Sequence, residues 1–161
     1  MVILITGVAG SGKTTVGRQL AAALDWSFAD ADDFHSAANI AKMSAGHPLT
    51  DADRAPWLAA LRAFIDERLA RGENAVLACS ALKSSYRDEL VAGRGQIRLV
   101  YLRGSRALLL DRLRHRTGHY MKPAMLDSQL AALEPPADAL ALDIRHPPAA
   151  LVEEIRRTFR V

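Results

Sequence analysis

Gly7-Val8-Ala9-Gly10-Ser11-Gly12-Lys13-Thr14 follows the spacing G-x-x-x-x-G-K-[ST]. That spacing lets backbone N–H groups turn inward on phosphate oxygens, because glycines tolerate the required dihedrals. Lys13 then reaches the β- and γ-phosphates, and the Thr14 hydroxyl offers a ligand to Mg²⁺. Thr15, next along, is counted with the ATP contacts. Downstream, Asp30, Asp32 and Asp33 follow a short apolar run. A phosphoryl acceptor needs a carboxylate to orient its hydroxyl and take the proton. Asp32 is the expected base and Asp30 the metal-side acid, both on one face if the strand persists. Asp33 takes the base role if the strand ends early. Without the glycine loop, the same acids would read as a solvated turn.

The elements that must hold these residues alternate. Apolar runs Val2 to Thr6, Ser27 to Ala31, Asn74 to Cys79, Ile97 to Leu102 and Leu140 to Ile144 read as strands. Between them, helices are expected over Lys13 to Leu24, Asp51 to Leu69, Lys83 to Val91, Arg106 to about His115, Ala124 to Leu133 and Ala149 to Phe159. Asp51 is the expected cap of the long helix. Five strands alternating with helices predict an α/β fold, a parallel sheet covered on both faces. Ligands in such sheets lie beyond the carboxyl ends of the strands, where the glycine loop and the acids fall.

Composition narrows the function. The 161 residues are half hydrophobic, with 21 basic against 18 acidic residues and a net charge of +3. There is no basic block, which argues against a nucleic-acid partner. No apolar run approaches the ~20 residues needed to cross a bilayer. The apolar start lacks a basic n-region and is cut short by glycines, unlike a signal peptide. Cys79 is the one cysteine. It excludes an internal disulfide, fits a cytoplasmic location and reads as a small buried hydrophobe. N-K-x-D, the base-reading motif of GTPases, is absent. The third strand ends Ala78-Cys79-Ser80, without the acid of motor ATPases. A small kinase fits better.

His35, Asn39, Lys42-Met43, Gly46, Pro48-Leu49, Asp51, Asp53-Arg54 and Pro56-Trp57 hold a specific spacing. Cys79-Ser80-Ala81-Leu82-Lys83 with Tyr86-Arg87-Asp88 adds a second block. Arg112, Arg116, Gly118-His119-Tyr120 and Gln129 add a third. From Gly7 to about Pro136 the chain resembles the gluconate kinase family. Ser36 stands where that family usually has Pro, so a less rigid turn after His35 is expected. The resemblance implies ATP-dependent phosphorylation of D-gluconate at its 6-hydroxyl. It also implies a P-loop NTPase-type three-layer sandwich of the shikimate-kinase kind, one kinase domain over residues 1–161, a lid at about 116–123 and a homodimer.

Gluconate is an anionic polyol, so its site needs cations and many hydrogen-bonding groups. Arg54 has the fork for a carboxylate, and similarity to shikimate-type kinases places it over the acceptor; otherwise it is a surface Arg paired with Asp51. Ser80, Lys83 and Arg87, at the end of the third strand and one helical turn on, are the second expected acceptor cluster. His35, His119 and Gln129 complete it. Arg112 and Arg116 share a helix face, with Arg112 expected against adenine and Arg116 on the transferring phosphoryl. Two rivals stay open: another small-molecule kinase of shikimate type, and an ATP-binding regulatory module that transfers nothing.

Overall fold

The computed structural model describes residues 1–91, 93, 95–115 and 123–161. Strand β1 (Val2–Thr6) is buried along its whole length, as a central strand covered on both faces must be. The others are β2 (Ser27–Asp30), β3 (Ala75–Ala78), β4 (Ile97–Arg103) and β5 (Leu140–Asp143). They form one parallel sheet in the order β2-β3-β1-β4-β5. Val2 sits opposite Ala75 on one side and Ile97 on the other. The phosphate-loop strand therefore lies at the centre of the sheet.

The helices are α1 (Lys13–Leu24), α2 (Ala37–Ser44), α3 (Asp51–Ala70), α4 (Ser84–Val91), α5 (Arg106–Arg114), α6 (Pro123–Ala132) and α7 (Pro148–Phe159). The two-residue period of β1 divides them between the faces. Ile3 and Ile5 pack with Val16 and Leu20 of α1 and with Leu151, Val152 and Ile155 of α7. Val2 and Leu4 face Trp57, Leu58, Leu61 and Ile65 of α3 and Leu90 of α4. Fully burying side chains of this size stabilises by about 1.5–3 kcal/mol each. This is the expected three-layer α/β sandwich, with aliphatic cores above and below the sheet. No helix among the described residues is long and apolar enough to cross a membrane.

Most element ends fall within a residue of expectation, and the differences are local. β2 stops at Asp30, one residue early, and Ala31–Phe34 forms a single 3₁₀ turn. The strand does not persist to Asp32, so the shared-face argument for Asp30 and Asp32 fails. Instead Asp30 caps the turn, accepting the Asp32 N–H at 3.2 Å. α3 is capped by Thr50, not Asp51, in a reciprocal box with Asp53. α2 was not expected at all. Ser36 starts it, accepting the Asn39 N–H at 3.2 Å, so the residue standing in place of Pro is a cap rather than a loosened turn. The helix is then tied to α3 by Asn39 to Asp53 O at 2.8 Å and Lys42 to Asp53 at 2.6 Å. The expected lid at 116–123, including Arg116 and His119, lies outside the described residues except for residue 123, where α6 begins.

Candidate functional site

The loop Gly7 to Thr14 leaves the carboxyl end of β1 and runs into α1. Two glycines have no substitute there. A Cβ on Gly7 (φ +148°) would lie 2.7 Å from Ser11 Oγ and 2.8 Å from Leu102 O. One on Gly10 (φ +80°) would lie 3.1 Å from Leu109 O and 3.0 Å from Leu113 Cγ. The α1 N-terminus carries no side-chain cap and no acid in its first turn, so its N–H groups face outward to an anion. Ser11 Oγ is buried and makes no hydrogen bond within the described protein. An uncapped helix start and an orphaned hydroxyl suit a polyphosphate, on a loop whose glycines let it pack closely against β4 and α5. Lys13 Nζ reaches back over the loop to Val8 O at 3.1 Å. Thr15 is exposed beside it.

Thr14 Oγ1 donates to Asp30 Oδ2 at 2.8 Å. A hydroxyl and a carboxylate at one spot are the hard oxygen donors that Mg²⁺ selects. Gly12 and Thr14 lie at the start of α1, whereas the Ala9 N–H, expected on ATP, is given to Gln129 Oε1 at 2.7 Å. Arg112 lies over the loop: its Nη1 is 3.8 Å from where a Gly12 Cβ would sit, and its Nη2 donates to Ile144 O at 2.5 Å.

On the other side, the 3₁₀ turn presents Asp32 and Asp33, both exposed. His35 follows, stacked on Trp57 with centroids 4.7 Å apart and planes 7° from parallel. Trp57 Nε1 donates to Ala31 O at 2.7 Å, so one indole holds both the acid turn and the imidazole. Trp57 is also one of the buried core side chains of α3. Its place beside His35 shows only once α3 packs on the turn. Burial and nearby Arg54 lower the His35 pKa while Asp32 opposes them; burial is the largest influence. The ring is therefore neutral at neutral pH, able to donate from one nitrogen and accept at the other. Below them, burial pushes the Cys79 thiol up to about 12, against the pull of Lys13. Cys79 is an inert hydrophobe here, as expected.

Arg54 and Lys83 come together across α3 and the start of α4. Both lie near the Tyr86 ring, 5.7 and 5.4 Å from its centroid. Both also lie 3.5 Å from Asp51. The Tyr86 hydroxyl bonds Asp51 and accepts from Arg54 at 3.4 Å. The Tyr86 hydrogen bond, followed by Lys83, holds the Asp51 carboxyl below its ordinary pKa. The Asp51–Arg54 surface pair is thus present, and Lys83 joins it. Tyr86 belongs to this cluster though the sequence assigned it no role, and Asp51 joins it instead of capping α3. Their spacing from Lys83 and Arg54 was the available signal. Ser80 follows β3 nearby in the chain, just before Ala81 with its positive φ of 35°.

Two expectations fail. Arg87 does not face the acceptor. It is 6% exposed, with Nη1 donating to Ala81 O and Leu82 O and Nη2 to Glu134 O at 2.7–2.9 Å. A guanidinium in that position closes the turn after β3 onto the segment following α6. Gln129 likewise does not reach the acceptor side, because its Oε1 accepts the Ala9 N–H at 2.7 Å, on the phosphate loop. Arg87→Ala is therefore expected to cost about 2–4 kcal/mol of stability by stranding buried carbonyls. Urea unfolding checks this, with the acceptor KM held within about twofold. Stability unchanged and KM greatly raised would return Arg87 to the substrate.

Residues 2–136 match the family model described as AAA domain. The chain is 45% identical to a gluconokinase of Gluconobacter oxydans, over 98% of this chain and 90% of that one. The chain belongs to the gluconokinase family. A solved gluconokinase from Sinorhizobium meliloti superposes with a TM-score of 0.84 at 46% identity, covering 95% of this chain and 87% of that one. A shikimate kinase from Aquifex aeolicus, 17% identical with a TM-score of 0.64 over 99% of this chain and 96% of that one, shares the fold alone. The family is one of ATP-using P-loop kinases, and the phosphate loop of this chain fits it.

Proposed function

We infer that this chain is an ATP-dependent gluconokinase, transferring the γ-phosphoryl group of ATP to the 6-hydroxyl of D-gluconate to give 6-phospho-D-gluconate and ADP. The observation that carries the reading is the phosphate loop at the centre of the sheet, with the Asp32 turn following β2, one strand beyond its neighbour β3, and Asp30 of β2 reaching Thr14 of the loop. The loop amides, Ser11 and Lys13 bind the β- and γ-phosphates, and Arg112 flanks them on the nucleotide side. Thr14 and Asp30 would hold Mg²⁺, which supplies positive charge against the phosphate oxygens. Asp32 orients the 6-hydroxyl and takes its proton as the O–P bond forms. The nearness of its charge to His35 supports Asp32 over Asp33 as the base, although β2 ends before both acids. His35 hydrogen-bonds gluconate hydroxyls as a neutral ring. Arg54 and Lys83 take the gluconate carboxylate, with Ser80 beside them. By the family resemblance, Arg116 neutralises the transferring phosphoryl and His119 meets the substrate, on a lid that closes the single domain. A cytoplasmic homodimer completes the reading.

A coupled ADP-release assay tests it with gluconate, other sugar acids and shikimate. Gluconate should turn over best. A preference for shikimate would replace the acceptor, and ATP binding without ADP release across the panel would make the chain a regulatory module.

A further inference from the structure

The Val8–Ala9 peptide is a single planar unit in the middle of the phosphate loop. In a trans peptide the C=O and N–H point to opposite sides. Here the N–H goes to Gln129 Oε1 at 2.7 Å. The C=O on the other side accepts from Ser11 N at 3.2 Å and from Lys13 Nζ at 3.1 Å. Rotating this peptide would therefore break three hydrogen bonds at once, and one of them carries the Lys13 ammonium. Ser11 N–H and Lys13 belong to the loop itself. Gln129 is the restraint from outside it, 120 residues away in the chain.

The helix that carries Gln129 is itself anchored. Asp127, two residues earlier, receives a two-pronged guanidinium contact from Arg106 at 2.6 and 2.9 Å, tying α6 to the start of α5. α5 in turn packs on the loop next to Ala9, with Leu109 O and Leu113 against Gly10. Beyond the other end of α6, Glu134 binds the Ser84 amide at 2.6 Å. The Gln129 amide is thus presented from a braced element.

We propose that Gln129 is a positioning residue for the nucleotide: by holding the Ala9 N–H it sets the Val8–Ala9 peptide plane, and through the Val8 carbonyl it sets where Lys13 stands. The role deepens the kinase reading above and rests on it. Gln129 acts through the loop, its Oε1 being taken by the Ala9 N–H.

The test compares two variants with wild type. Gln129→Met keeps side-chain length and removes the acceptor. Gln129→Glu keeps an acceptor on the Ala9 N–H and adds a charge that salt screens. ATP affinity is measured by titration calorimetry with gluconate left out, and melting temperature is recorded for each protein. Gln129→Met should weaken ATP about five- to tenfold, the worth of one hydrogen bond. Its gluconate KM should stay within about twofold. Gln129→Glu, compared with wild type at the same raised salt, should recover most of the loss. Unchanged ATP affinity in the Met variant overturns the proposal. So does a rise confined to the gluconate KM, or a Glu variant no better than Met at high salt. Should Met fail to fold, Gln129→Leu takes its place in the same comparison. A wild type that binds ATP but phosphorylates no sugar acid would sink the proposed function and leave this measurement standing.

Discussion

Lys13→Ala should lower kcat by about 10²–10³ in the ADP-release assay, the range found when one preorganised donor to a developing charge is removed. The ammonium is already tethered at the loop by Val8 O, 3.1 Å away. From there it can swing to a phosphate oxygen. In a site that excludes water its attraction to the spread charge of the transferring group exceeds anything it could give in solvent. The loop backbone and Ser11 remain in the variant. ATP should therefore still bind, more weakly, and the greater loss should appear in turnover. A Lys13→Ala enzyme with wild-type kcat would mean that the loop does not deliver the phosphoryl group.

Asp32→Asn should lower kcat by about 10²–10⁴, the usual contribution of a positioned acid or base, with ATP affinity within about twofold. Asn keeps the shape and can still orient a hydroxyl, but it cannot take the proton. The loss should therefore fall on kcat rather than on either KM. The turn itself should survive, because its cap is the Asp30 carboxylate on the Asp32 N–H and its brace is Trp57 on Ala31 O. The companion Asp33→Asn decides between neighbours on the same turn. If Asp32→Asn is unaffected and Asp33→Asn collapses, the base moves by one residue.

The residues missed or misplaced by sequence reasoning share a physical cause. Arg87 and Gln129 have the right types for a polyol site, and in linear order they sit near other site residues. Whether a polar side chain faces a substrate or a backbone group depends on which backbone group lies opposite. For Arg87 the distant partner is Glu134 O, 47 positions away, beside the nearby Ala81 O and Leu82 O, and for Gln129 it is Ala9 N, 120 positions away. Neither distance has a signal in local spacing. α2 was missed for a related reason. Its eight residues are too few to hold a helix alone, and its anchor is Asp53 of another helix. Ser36 was the local trace of it, a cap legible only after the helix is known.

The amino-acid order alone determined the phosphate loop, the alternation that makes a parallel sheet and the acid turn after the second strand. These depend on steric rules and on periods of two and 3.6 residues, which act over a few positions. Only the folded chain decided that Arg54, Lys83, Tyr86 and Asp51 form one cluster, that Trp57 carries His35, and that Gln129 serves the nucleotide loop rather than the sugar acid. Those outcomes come from long-range packing of helices on the sheet, which brings together groups whose separation along the chain says nothing about their separation in space.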